Sequence, residues 1–239
     1  MEINLVKSSF KEDLINDYNQ DSLQKGLIQM VPMGSFIDSY LTSSYNQILK
    51  NRTKTFLDEL VNGDIELSAE LIESEDFLHT YFSTFKAALF TKQREKIRLF
   101  SKLLINGITT SLINKSDEYD DYLKILEELT SREITILFIL NNFEDKNPIT
   151  EGVNPLQRAG VFWVEFEKEI FNQIDISPSE LNGLLTRIQR TGCYQEITGS
   201  YWGYTGGQGY LTETYHKLKR LISLKQEDLV YYRKLWLFE

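Results

Sequence analysis

Ser177-Pro178-Ser179-Glu180-Leu181-Asn182-Gly183-Leu184-Leu185-Thr186-Arg187-Ile188-Gln189-Arg190-Thr191-Gly192 reads as a helix with both of its ends marked. Ser177 is placed as an N-cap, and Glu180 three residues on completes a capping-box pattern. Pro178 falls at the first helical position, where its missing amide proton does no harm. Leu181, Leu184, Leu185 and Ile188 share one face, and Thr191-Gly192 closes the helix. Two short extended runs follow around Thr205-Gly206-Gly207-Gln208-Gly209, whose glycines suit the positive backbone angles of a hairpin tip. In the first run Tyr194, Glu196, Thr198, Ser200 and Trp202 alternate with Cys193, Gln195, Ile197 and Tyr201, as a strand requires. Tyr210-Leu211-Thr212 leads into another helix, capped by Thr212 and carrying Tyr215, Leu218, Leu221 and Ile222. The order is helix, hairpin, helix.

Upstream, Ser131 with Glu133 nearby starts an almost continuous apolar run, Ile134 to Leu140. Residues 144–160 contain Pro148, Gly152, Pro155 and Gly160 and are expected to form a loop. Phe162, Val164, Phe166, Ile170, Phe171 and Ile174 predict the next helix. Ser116 is expected to cap a helix bearing Tyr119, Tyr122, Leu123, Leu126 and Leu129. Further upstream, Ile37, Leu41, Tyr45, Ile48, Phe56, Leu57, Leu60 and Val61 predict one long helix after Ser35. It has room for an interruption near Asn51-Arg52 and a left-handed stop at Gly63. Ser74 caps a helix running through Leu78, Tyr81, Phe82, Phe85 and Leu89, and a third extends from Ile97 to Leu112. The expected architecture is mainly α: a helical bundle over 1–115, a hairpin-containing helical domain over 116–224 and a helical extension over 225–239.

Composition narrows the chemistry. The single cysteine, Cys193, permits no intrachain disulfide and no thiolate zinc site, which fits a reducing, cytoplasmic setting. Glu2, Asn4 and Lys7 do not suit a secretory signal, and the apolar stretch from Gly26 to Gly34 falls short of the roughly 18 residues a membrane span needs. The two histidines, His79 and His216, fall in separate expected domains. His79 lies between apolar positions and is expected to be partly buried, and His216 to face solvent. A Cys193–His216 pair lacks any accompanying oxyanion-hole motif, so Cys193 is read as inert. Carboxylates at Glu73-Ser74-Glu75-Asp76 and Asp117 to Asp121 sit at helix starts, where the dipole favours them. Glu165, Glu167 and Glu169 are read as a solvated helix surface. No enzyme activity, cofactor or metal is expected.

The helix over 178–191 supplies the candidate site. With its apolar face inward, Ser179, Asn182, Gly183, Thr186, Gln189 and Arg190 face outward or lie at the margin. Asn, Gln and Arg can read base edges, while Ser and Thr can touch phosphate. Arg187, Lys217 and Lys219 are candidate phosphate contacts. At the hairpin tip Tyr201, Trp202 and Tyr204 could stack on bases, cover a partner surface or close the edge of the core. The formal net charge of −9 repels nucleic acid at long range. Residues 177–224 run the other way, with five basic residues against three acidic.

These residues carry a resemblance. Leu129-Thr130-Ser131-Arg132-Glu133, Leu181-x-x-Leu184-Leu185-x-x-Ile188 ending in Thr191-Gly192, and Gly209-Tyr210-Leu211-Thr212 resemble winged-helix domains, over about 130–222. The resemblance implies a recognition helix at 178–191 and a wing at 194–212. It also implies either of two occupants, duplex DNA or a protein, since the family serves both. Residues 30–108 resemble a helical module of uncharacterised bacterial proteins associated with prophages and phage defence. That likeness rests on Val31-Pro32-Met33-Gly34-Ser35, Arg52-x-x-x-Phe56-Leu57-x-x-Leu60, Ser74-Glu75-Asp76-Phe77 and Glu95-Lys96-Ile97. The function expected is a cytosolic DNA-binding regulator; the alternative is a non-enzymatic protein-interaction module. Leu229, Val230, Tyr231, Leu235, Trp236 and Phe238 form an apolar C-terminal stretch, expected to make a homodimer or to pack back on the chain.

Overall fold

The computed structural model describes residues 37–63, 69–149, 151–198 and 206–229, with side chains from Tyr45 onward. The protein is mainly helical with a small two-stranded antiparallel sheet. It divides into two compact units, Met1–Asp120 and Asp121–Glu239. Among the described residues, no helix is long and apolar enough to cross a membrane.

In the first unit α1 (Ile37–Asn62), α2 (Ala69–Ile72), α3 (Glu75–Phe90) and α4 (Lys96–Thr109) precede a 3-10 turn at Leu112–Asn114. Helix α1 passes through Asn51-Arg52 without the expected interruption. Asn51 bonds along its own helix, to Gln47 and Thr55, and the Arg52 guanidinium donates to the Leu89 carbonyl at the end of α3. Gly63 ends α1 but is not left-handed. Its reason is space: a Cβ there would lie 2.6 Å from Ile105 Cδ1 of α4. Ser74 caps α3 as expected, accepting from Phe77 N at 3.2 Å. Helix α4 stops three residues short of the predicted Leu112, where Ser111 turns left-handed at φ 57°. Between α1, α3 and α4 the core is aromatic: Tyr81 stacks between Phe77 and Phe85 and meets Phe56 edge-on.

Helix α5 (Ser116–Glu128) crosses the division. The second unit continues with α6 (Ser131–Lys146), α7 (Pro155–Ile174), α8 (Pro178–Arg190), strands β1 (Tyr194–Glu196) and β2 (Gly209–Leu211), and α9 (Glu213–Leu221). Thr130, not Ser131, caps α6, because Glu133 must stand three residues after the cap to close the reciprocal box. The loop expected over 144–160 shrinks to 147–154. Asn154 and Gln157 form a second capping box, and Pro155 stands inside the first turn of α7.

The Ser177 cap of α8 is present, but the box is half made: Glu180 turns instead toward Arg132, at 3.4 Å. Strands β1 and β2 pair with Tyr194 opposite Leu211 and Glu196 opposite Gly209. β1 packs on α8, and β2 on α6 and α7. Among the described residues the first strand covers only Tyr194–Glu196, and the expected alternation at Ser200, Tyr201 and Trp202 lies outside them; Cys193 and Ile197 are buried while Gln195 between them is exposed. Thr212 caps α9, as expected.

Candidate nucleic-acid interface

Helix α8 buries Leu181, Leu185 and Ile188. Ser179, Asn182, Gly183, Thr186, Arg187 and Arg190 are exposed, and Gln189 is half-buried. Two of the hydroxyls are engaged locally: Thr186 Oγ1 donates to the Asn182 carbonyl at 2.9 Å, and Ser179 Oγ lies 3.3 Å from Ser177 Oγ. The hairpin comes alongside this helix at Asn182. A Cβ on Gly207 would lie 3.3 Å from Asn182 Oδ1, and Gly207 holds φ +89° while its N–H donates to Glu196 Oε1. Only glycine sits there without strain.

The cations differ in exposure and in the pairs they make. Arg187 grips Glu133 with two nitrogens, Nε at 3.2 Å and Nη2 at 3.4 Å. The Glu133 side chain is 2% exposed and that of Arg187 49%. Glu133 also accepts from the Thr130 N–H and hydroxyl, both at 2.7 Å, so this carboxylate ties the start of α6 to α8. Lys219 is partly buried, 4.0 Å from Asp145 and over the Phe138 ring. Lys217 is exposed. Arg190 makes no ion pair among the described residues.

A second buried carboxylate positions the hairpin. Glu144 Oε1 accepts the Leu211 N–H of β2 at 2.9 Å, and Oε2 meets Arg158 Nη1 at 3.3 Å. Arg158 also donates to the carbonyls of Glu144 and Asn147, at 2.9 and 2.6 Å, closing the end of α6 against the start of α7. Burial pushes the Glu144 carboxyl above its usual range; the Leu211 N–H and the Arg158 charge pull against that shift. The sequence marks neither Glu144 nor Arg158, because both fall inside the expected loop.

The remaining reactive groups are quiet or dispersed. Cys193 is buried, and burial pushes its thiol up to about 11, so it stays protonated at neutral pH. Tyr215 is buried between hairpin and helices, and its phenol is pushed up by burial. His216 lies edge-on to that ring. An open groove of about 540 Å³ runs between α6 and α9, lined by Asn141, Asp145, Glu213, His216, Lys219 and Arg220 among others. Its mixed charges favour no single kind of ion. His79 is exposed rather than partly buried, because it turns out toward Asp120, 3.5 Å away. Of the α7 carboxylates Glu165 is exposed, as expected, beside Lys168, while Glu167 and Glu169 are half-buried and accept from Trp163 Nε1 and Gln173. Among the described residues, no group of three or more His, Cys, Asp or Glu side chains is gathered to hold a metal.

Tyr201, Trp202 and Tyr204 of the expected wing lie outside the described residues, as do Tyr231, Leu235 and Trp236 of the expected C-terminal interface. Leu229 is described and buried. No family model, curated protein or solved structure matches the chain.

Proposed function

We propose that the helices and hairpin over 131–221 form a winged-helix domain that binds duplex DNA, and that the protein is a cytosolic, non-enzymatic regulator. Helix α8 is then the recognition helix and β1–β2 the root of the wing. The observation that carries this reading is the meeting of α8 and the hairpin at Asn182 and Gly207 beside an exposed polar helix face. Asn182, Gln189 and Arg190 have the donors to read base edges, and Ser179, Thr186, Lys217 and Lys219 reach for phosphates. Arg187 acts first as an anchor, because leaving Glu133 would strand a buried carboxylate.

The test is fluorescence anisotropy with a pool of random duplexes, followed by selection of bound sequences. With two or three phosphate-contacting cations, log K should fall against log salt with a slope of roughly −2 to −3. Arg190→Ala and Asn182→Ala should relax the selected sequence. An absence of saturable binding at low salt, or selection unchanged in both variants, overturns the reading. A second reading, a protein-interaction module, is favoured by the exposed apolar residues Val161, Val164 and Phe171 on α7. It predicts no salt-dependent DNA binding.

A further inference from the structure

Helix α7 buries one side against its own unit and leaves the opposite side apolar. Val161, Val164 and Phe171 are 73%, 60% and 54% exposed. With Lys168 they form a single stripe, stepping three, four and three residues, which is the spacing of a seam between two helices. Glu165 flanks the stripe and meets Lys168 Nζ at 2.7 Å. Gly160 stands at its upstream end with nothing within 4 Å of where a Cβ would sit. Glycine inside a helix weakens it relative to alanine, and neither packing nor backbone angle within this chain requires one at 160.

These positions are complementary to themselves about one twofold axis. Let two α7 helices lie antiparallel, with the axis midway between Val164 and Lys168. Val161 then faces the partner's Phe171, and Gly160 leaves a recess for that ring. Val164 faces the stem of the partner's Lys168, whose ammonium group falls beside Glu165. Large meets small and positive meets negative in both halves, as a twofold interface demands. We infer that α7 pairs antiparallel with α7 of a second copy of this chain, making a reversible homodimer. One helix face buries less than the roughly 1,200 Å² typical of stable complexes, so the dimer is weak.

Sedimentation equilibrium of the full chain without DNA tests this independently of the proposed function. Over about 5–300 μM, a span that brackets a weak dimer of micromolar Kd, the mass should rise from 28.0 kDa toward twice that value. Phe171→Asp should hold it at one chain. Lys168→Glu and Glu165→Lys should each raise the dimer Kd about tenfold or more, since like charges then meet across the axis. An equimolar mixture of those two variants should recover the parent affinity, because each supplies the charge the other lacks. All are surface changes, and unaltered circular dichroism melts will confirm folding. A mass of one chain throughout, a Phe171→Asp variant that associates like the parent, or a mixture no tighter than its components overturns the inference.

Discussion

The two compact units solve the problem of buried polar groups differently. Among the described residues of the first, the buried polar ones are Thr53, Thr80, Thr84, Ser101 and Lys96, four of them small hydroxyls. Ser101 donates along its own helix to Ile97 and across to the Phe56 carbonyl, and Thr84 meets Tyr119 OH at 2.7 Å. Such hydroxyls let aromatic helices approach closely and add little charge to the core. In the second unit the set includes Glu133 and Glu144. Each accepts a backbone N–H and an arginine, and each joins elements far apart in sequence. A bundle of helices can be held by shape alone. A hairpin with strands of three residues has too little apolar surface for that and is fixed by a buried acceptor.

The largest effects should separate the two strategies. Phe56→Ala removes a fully buried ring from the first unit and should lower unfolding free energy by about 3–5 kcal/mol in urea titration. Arg158→Ala leaves Glu144 buried without its cation and removes the arginine's bonds to the carbonyls of Glu144 and Asn147. Its expected loss is about 3 kcal/mol, of the order found on breaking a buried pair. If Arg158→Ala costs less than about 1 kcal/mol, the pair behaves as a surface ion pair and the contrast between the units fails. Gly107→Ala should come next, at about 1–3 kcal/mol. Its Cβ would lie 2.7 Å from the Tyr119 ring, which the bond to Thr84 keeps from swinging aside.

What could be read from sequence follows the same division. The caps at Ser74, Ser177 and Thr212 are local signals, complete within four residues. So is the Asn154-Pro155-x-Gln157 box, but its proline and the nearby glycine are also the signals of a loop, and they mask the first turn of a helix. The outward face of α8 was legible because periodicity alone separates it from Leu181, Leu185 and Ile188. The partners of Arg52, Arg187 and Glu144 were not. They are Leu89, Glu133 and Leu211, which come near only after the chain has folded. Gly63 was misjudged for the same reason, since the side chain it makes room for belongs to α4.

Glu144→Gln sharpens the second unit further, with a smaller effect. The folded protein raises the Glu144 carboxyl above its reference value of 4.5, so folding favours the protonated form. That preference is fully present below about 4.5 and is lost as pH rises through the folded value. Glutamine mimics the protonated acid and keeps an oxygen for the Leu211 N–H. Near pH 4 the variant and parent should therefore be equally stable, and above about 4.5 the variant should gain on the parent. Urea titrations from pH 4 to 7 would show it. A variant that falls behind as pH rises would mean that Arg158 outweighs burial.

The smallest effect concerns a second helical glycine, Gly160. Gly107 is crowded and Gly160 is open, although both lie inside helices. Nothing in the folded chain opposes a methyl group at 160, so Gly160→Ala should stabilise α7 by about 0.5–1 kcal/mol through lower chain entropy alone. The same methyl would fill the recess that the antiparallel pair offers to Phe171. The variant should therefore melt higher as a dilute monomer and associate less well when concentrated. A rise in melting temperature with unchanged self-association would place Gly160 outside the interface. A fall would show that position 160 is constrained within the folded chain, as position 107 is by Tyr119.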